Sequence, residues 1–367
     1  MAAIPDKIQT WQMVKPYGKE GDTVVSGRIE RSSVDMPPIN PGEVVVKIAG
    51  CGVCHTDLGY FYDGVPTVQK PPLSLGHEIS GTVIGGEARL IGKEVIIPAV
   101  MGCNKCPICA EGRNNRCLNQ KMPGNSMGIY GGYSSHIVVP AEDLCVVGNR
   151  GTMPLEHLAV IADAISTPYQ AAVRAGLKKG DLCVVVGAGG GVGSYMTQFC
   201  NAFGAKAVIA IDIVDDKLAR ALKFGATHAI NSKGKAAKDV KEEFKALCKA
   251  NGWPPNYGWK IFEVTGTKPG QEIGLELLSF IGKLLVIGFG MAKHEFMISR
   301  LMAFDAEIIG TWACLPQYYP KILEMVLANK IDIRPFVETR PMSTINETFA
   351  EVHKAAPERR IVLTPDF

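Results

Sequence analysis

Apolar residues gather along the second half of the chain in short runs whose period switches between that of a strand and that of a helix. Leu182–Val186 is a continuous, β-branched apolar run, the mark of a strand buried on both faces of a parallel sheet. The glycine-rich stretch 187–193 follows it and opens an amphipathic pattern that continues through Phe203. A second strand, 207–211, leads into Asp212, and a helix begun by Asp215 and Asp216 extends through Phe224. Further strands are expected at 228–230, 260–264, 284–287 and 307–311, with helical stretches between them. This alternation predicts an α/β domain with a doubly wound parallel sheet over about residues 165–313. Residues 233–249 are dense in charge and read as a solvated helix face. No internal repeat or low-complexity segment is evident.

Composition narrows the class. At 367 residues the chain has room for two domains, and 47% apolar with 20% charged residues describes a globular protein, not a disordered one. A net charge of +3, with acids and bases interspersed, offers no basic block for nucleic acid. The first residues lack the apolar core of a signal peptide and no apolar stretch reaches membrane-spanning length, so a cytoplasmic protein is expected. Eleven cysteines in a reducing compartment are then ligands, catalytic groups or packed thiols. Packing suits Cys145, Cys183, Cys200, Cys248 and Cys314.

Cys103, Cys106, Cys109 and Cys117 lie within one short run, separated by two, two and seven residues. Four thiols so close can converge on one tetrahedral ion, and zinc takes thiolates as a closed structural site. The alternative, a pair of disulfides, is disfavoured because cysteines two residues apart rarely meet disulfide geometry. A second group is spread more widely: Cys54, then His77 and Glu78, then Asp163, each at the edge of an apolar run. One thiolate, one imidazole and one carboxylate leave a fourth position open for water or substrate, as a catalytic zinc requires. Singly these residues say little, since a lone His77 could equally be a satisfied core histidine. Cys51 reads as packing.

The glycine stretch carries Gly187, Gly190 and Gly193, which is GxxGxxG with Ala188 in the first position of the stricter GxGxxG form. Glycines let the backbone approach a pyrophosphate at the positive end of a helix. Asp212 ends the next strand, where a carboxylate would hold the adenosine ribose hydroxyls and repel a 2′-phosphate. NAD is therefore favoured over NADP. Asp212 could also cap a helix, although Asp215 and Asp216 are better placed to start one.

Cysteine, then His77–Glu78, then a four-cysteine lobe, then a glycine-rich βαβ unit: this order resembles the zinc-dependent medium-chain alcohol dehydrogenases over nearly the whole chain. The resemblance implies a Rossmann domain at 165–313 and a discontinuous, β-rich, GroES-like catalytic domain from 1–164 and 314–367. It also implies an active site in the cleft between them. Two zinc ions per chain, one catalytic and one structural, would accompany NAD. Alcohol dehydrogenase is the standard example of a catalytic zinc held by two cysteines and a histidine. This chain departs from that, because aligning on Thr167 and Tyr169 puts Asp163 where many members carry the second cysteine. An aspartate donates less charge and leaves a harder, more Lewis-acidic ion. Glu78 is either an inner ligand or an outer orienting group by the same resemblance.

Thr56 matches the hydroxyl that receives the substrate proton, and Asp57 matches a carboxylate behind the metal. His55 and Arg360 match pyrophosphate contacts, Lys217 a ribose contact, and Thr167 a further cofactor position. Where many relatives end their proton relay with a histidine this chain has Gly59, which leaves water or Tyr60 as a route. The chemistry implied is oxidation of an alcohol made acidic by zinc, with hydride passing to NAD. At 10–20 and 251–266 the chain further resembles the dehydrogenases of 6-hydroxycyclohex-1-ene-1-carbonyl-CoA, which act in anaerobic benzoyl-CoA degradation. That would make the small-molecule substrate an acyl-CoA and the product its 6-oxo form. A general secondary or aromatic alcohol dehydrogenase acting on free alcohols is the alternative. A zinc-free reductase of the same superfamily would have no need of both cysteine-rich sites, and a non-catalytic nucleotide-binding protein no need of the open one. The resemblance implies a homo-oligomer, dimer or tetramer, with strand 307–311 as a candidate for pairing across it.

Overall fold

The computed structural model describes residues 3–20, 23–354 and 357–367. The first stretch of chain carries β1 (Lys7–Lys15), β2 (Gly18–Glu20), β3 (Thr23–Val25), β4 (Arg28–Asp35), β5 (Glu43–Gly52), α1 (His55–Tyr62), β6 (Leu73–Ser74), β7 (Glu78–Gly86) and β8 (Glu94–Ile97). The short helix α2 (Pro107–Ala110) then precedes β9 (His136–Pro140) and β10 (Cys145–Val147). An alternating stretch follows: α3 (Ser166–Arg174), β11 (Leu182–Val186), α4 (Gly191–Ala202), β12 (Ala207–Asp212), α5 (Asp215–Lys223), β13 (His228–Asn231), α6 (Ala237–Ala250), β14 (Trp259–Glu263), α7 (Lys268–Leu277), β15 (Lys283–Val286), α8 (Ser299–Phe304) and β16 (Glu307–Gly310). The chain closes with α9 (Tyr319–Leu327), β17 (Val337–Pro341), α10 (Ile345–His353) and β18 (Arg360–Thr364).

Two compact units result, one from residues 1–166 with 313–367, the other from 167–312. In the first, a seven-stranded sheet runs β10-β8-β7-β5-β18-β17 with β9 also on β5, beside a smaller sheet β4-β1-β6. The returning segment supplies β18, which pairs antiparallel with β5 through Val362 and Leu363 against Gly52 and Cys51. Its core is built from the sheet's aliphatic rows, among them Val44, Val46, Ile79, Val95, Ile137 and Leu363.

The second unit is a six-stranded parallel sheet in the order β13-β12-β11-β14-β15-β16. That order reverses direction between β11 and β14, the switch point where such sheets open a crevice at the carboxyl ends of their strands. Val184, Ile209, Phe244, Trp259 and Ile261 pack its core. The expected α/β class, with a doubly wound sheet and a β-rich partner domain, is what forms. Boundaries differ by a residue or so; β14 starts at Trp259 and ends at Glu263, before Val264. Helix α4 begins only at Gly191, because Gly187 turns out of the strand with φ +88. In α5 the acids Asp215 and Asp216 occupy the first turn and Arg220 and Lys223 the last, which complements the helix dipole. Among the described residues no helix is long and apolar enough to cross a membrane.

Candidate active site

Helix α1 starts at Cys54, its N-cap, and Asp57 at the third helical position accepts from Cys54 N at 3.2 Å. That local turn fixes the thiol and puts Thr56 Oγ1 3.6 Å from Cys54 Sγ. Asp57 is fully buried and also accepts from Gly76 N at 3.0 Å and from the Tyr133 hydroxyl at 2.9 Å. Its Oδ1 lies 3.3 Å from His77 Nδ1, the arrangement that orients a ligating imidazole. His77 and Glu78 enter at the head of β7 just after Gly76, whose φ is +93. A side chain at Gly76 would press on Cys51 Sγ and the Tyr133 ring, so glycine is required there twice over. Asp163 comes from the end of the 3-10 helix Glu156–Ala162.

One ligand atom each from Cys54, His77, Glu78 and Asp163 lies within 4.8 Å of the others. Cys54 Sγ and Asp163 Oδ2 are 3.5 Å apart, as are His77 Nε2 and Asp163 Oδ2. Ligands at the usual zinc distances on a tetrahedron stand about 3.3–3.7 Å from one another, so these three donors fit the ion and leave a fourth direction. Burial draws the His77 imidazole down, but Asp57, Asp163 and Cys54 outweigh it and raise it well above its ordinary value. A site that anionic calls for a cation.

Glu78 is differently engaged. Arg360, the first residue of β18, grips both of its oxygens, with Nε at 3.1 Å from Oε2 and Nη2 on Oε1. Burial nonetheless lifts the Glu78 carboxyl, with Arg360 pulling the other way. Arg360 is itself 9% exposed, its guanidinium occupied by this fork. Tyr60 is buried and accepts from Asn125 Nδ2 at 2.8 Å. Burial pushes its phenol up to about 12, so it keeps its proton at neutral pH. His55 is exposed at the start of α1 and Thr167 half-buried at the start of α3.

In the cysteine lobe all four sulfurs lie within 4.8 Å of one another, and all eleven cysteines of the chain are free of disulfides. Cys106 Sγ is 3.5 Å from Cys109 Sγ and 3.8 Å from Cys117 Sγ. A tetrahedral zinc with four thiolates needs about 3.8 Å. Backbone donors at Leu118 and Cys109 hold Cys106 down at about 6, whereas burial and its sulfur neighbours push Cys109 up to about 12.

In the second unit the 187–190 loop joins β11 to α4. A side chain at Gly193 would collide with Gly187 O, so the helix can approach the loop only without one. Asp212 accepts from Gly189 N at 2.8 Å and from Ile213 N at 2.8 Å. Lys217 packs against Gly189, where an added Cβ would meet its side chain, and Arg220 Nη2 lies 3.4 Å from Gly189 O. The backbone cradle and its carboxylate suit a dinucleotide. The large groove between α6 and α7, about 1020 Å³, contains none of these residues and is lined by Lys–Glu pairs such as Lys241–Glu276.

Residues 40–149 match the alcohol dehydrogenase GroES-like domain family, and residues 191–328 match the zinc-binding dehydrogenase family. The chain belongs to the zinc-dependent medium-chain alcohol dehydrogenase superfamily. It is 29% identical over 341 residues to an alcohol dehydrogenase of Geobacillus stearothermophilus, covering 91% of this chain and 95% of that one. An NAD-dependent alcohol dehydrogenase of Sulfolobus acidocaldarius is 27% identical over 343 residues, at 90% and 94% coverage. In structure it is similar to acetophenone reductase from Geotrichum candidum in complex with NAD, with a TM-score of 0.82, 24% identity and 99% and 98% coverage. This dehydrogenase is thus an oxidoreductase acting on CH–OH groups, of a kind that typically uses zinc and NAD. None of these three relatives is named for a CoA thioester.

Four supporting contacts were not read from the sequence. Tyr133, Arg360 as the partner of Glu78, Tyr319 behind Asp163, and Arg220 beside Gly189 all act through contacts made by folding. Of these only Arg220, one turn after Asp216 on a predicted helix, could have been suspected from spacing.

Proposed function

We propose that the protein oxidises secondary or aromatic alcohols with NAD, and reduces the corresponding ketones in reverse. The observation that supports this best is the trio Cys54, His77 and Asp163, spaced for a tetrahedral ion with one direction free. When bound, zinc supplies the Lewis acidity that lets an alcohol hydroxyl lose its proton near neutral pH, and NAD accepts the hydride. Cys54, His77 and Asp163 would hold the metal, with Asp57 keeping His77 Nε2 turned toward the other donors. Arg360 would keep Glu78 engaged and out of the fourth direction. Thr56 Oγ1 would take the substrate proton, and with glycine at 59 the route onward is through water or the Tyr60 hydroxyl. Asp212 would select NAD by repelling a 2′-phosphate, with His55, Thr167, Gly187, Gly190, Gly193 and Lys217 around the same cofactor.

A second reading narrows the substrate to an acyl-CoA: the ring alcohol of 6-hydroxycyclohex-1-ene-1-carbonyl-CoA. Segments 10–20 and 251–266 support it by resemblance. NADH formation with cyclic and benzylic alcohols, set against this thioester and its free acid, tests both. Turnover of free alcohols with an inert thioester leaves the first reading alone. Turnover of the thioester alone establishes the second. With Cys54→Ser, activity on any substrate should fall by at least about a hundred-fold, since the open site loses a ligand.

A further inference from the structure

Glu263 is a buried carboxylate that the chemistry above does not use. It is 1% exposed and ends β14, paired with Val186 at the end of β11, so it stands at the switch point of the sheet. Its Oε1 accepts from Thr265 N at 2.8 Å, from Thr265 Oγ1 at 2.5 Å and from Gly266 N at 3.2 Å. Its other oxygen lies 3.4 Å from Gly266 N. Among the described residues no lysine or arginine hydrogen-bonds to it, and its donors all belong to the turn that follows.

A carboxylate buried with no lysine or arginine on it carries a large desolvation cost, which the donors of the turn and the charge of His294 only partly offset, so a purely packing role is a poor explanation. What it holds is informative. Thr265 Oγ1 also receives Thr267 N at 2.9 Å, and Thr267 Oγ1 caps α7 by accepting from Gly270 N at 3.3 Å. On the other side, a Cβ added to Gly187 would press on the side chains of Val264 and Thr265. The 264–267 turn is therefore a wall standing directly against the first glycine of the phosphate loop. Glu263 O meanwhile accepts from Ile287 N at 2.9 Å and Gly288 N at 3.0 Å, which ties in the next strand's loop. Gly270 and Gly274 lie over the Glu263 side chain, leaving it room without a competing Cβ.

We propose that Glu263 is a positioning residue for the dinucleotide. Its carboxylate shapes the 264–267 turn against Gly187, so that the crevice at the switch point is formed before the cofactor arrives. Alanine at this position removes the acceptor of all three hydrogen bonds, whereas glutamine, whose carbonyl oxygen can take the place of Oε1, keeps them. This rests on reading that crevice as the NAD site.

The test is NADH affinity of the zinc-loaded enzyme, by fluorescence titration, together with the separate KM values for NAD and alcohol. Glu263→Ala and Thr265→Val should each weaken NADH binding, Glu263→Ala by about ten-fold or more, the cost of losing two or three buried hydrogen bonds, and Glu263→Gln should recover most of that loss. The alcohol KM should move by less than about two-fold, a split that general loss of stability would not produce. Wild-type NADH affinity in folded Glu263→Ala overturns the proposal. Should that variant fail to fold, Thr265→Val, which removes one hydroxyl from the same turn, decides by the same readout. Wild-type enzyme that does not bind NADH would overturn the NAD reading along with it.

Discussion

At the level of single residues, the site depends on side chains that hold a backbone atom in place. The Tyr319 hydroxyl is fully buried, donates to Ala162 O at 2.5 Å and accepts from Ala99 N at 3.3 Å, and the Ser166 hydroxyl donates to the same carbonyl at 3.0 Å. Ala162 is the residue before Asp163, so this clamp sets the direction of the carboxylate. Tyr319→Phe should cost about 1–3 kcal/mol of stability by leaving buried groups unpaired. It should also speed loss of the catalytic zinc while the four-cysteine zinc stays, as metal release to a chromogenic chelator will show. Gly59 is the opposite case. It lies inside α1 with ordinary φ, and a Cβ there first meets Val65 Cγ2 at 3.4 Å, a normal contact. Gly59→Ala should therefore raise stability by about 0.5–1 kcal/mol in denaturant titration. A drop instead would mean that the helix needs glycine at this position.

Among the elements, the four-cysteine lobe has the weakest core of its own. Among the described residues, only Ile108 packs with the four cysteines in its apolar cluster, and its helices are short, α2 of four residues and a 3-10 turn at Asn114–Arg116. Metal binding and folding should therefore be one event in this lobe. Cys106→Ser is expected to hold one zinc per chain instead of two and to become sensitive to protease between residues 103 and 119, with the sheets intact by circular dichroism. In the folded lobe, backbone donors at Leu118 and Cys109 hold the Cys106 thiol down at about 6. Those donors exist only once the lobe has formed, so zinc uptake by the empty, unfolded lobe should release close to four protons near neutral pH, and occupancy should fall as pH drops and protons compete. Calorimetry in buffers of different ionisation enthalpy reads the proton count.

For the whole molecule, the open question is assembly. Strand β16 is the last of its sheet among the described residues, Ile308 on it is 37% exposed, and the segment leading into it carries the exposed apolar side chains Met297, Ile298 and Met302. An unpaired edge beside such a patch is a place where a second copy can add its own edge. Ile308→Arg is expected to shift the protein to monomers in light scattering; an unchanged mass would place the interface elsewhere.

Much of this protein was legible in its sequence because the relevant signals are local. The apolar run of β11, the glycines after it and Asp212 at the end of β12 lie within one βαβ unit, where spacing along the chain nearly dictates spacing in three dimensions. The same holds for the four cysteines, whose loop is too short to let them separate far. Cys54 and Asp163 are 109 residues apart and Glu78 and Arg360 are 282 apart, so convergence there depends on sheet pairing and packing. Residue types alone therefore left two carboxylates competing for one role. Tertiary structure engages Glu78 with a guanidinium, sets Asp163 beside Cys54 and His77, and buries Tyr60 against Asn125. Chemical identity travels with the chain, but the pairing of distant charges and the burial that sets their protonation exist only once the sheets have formed.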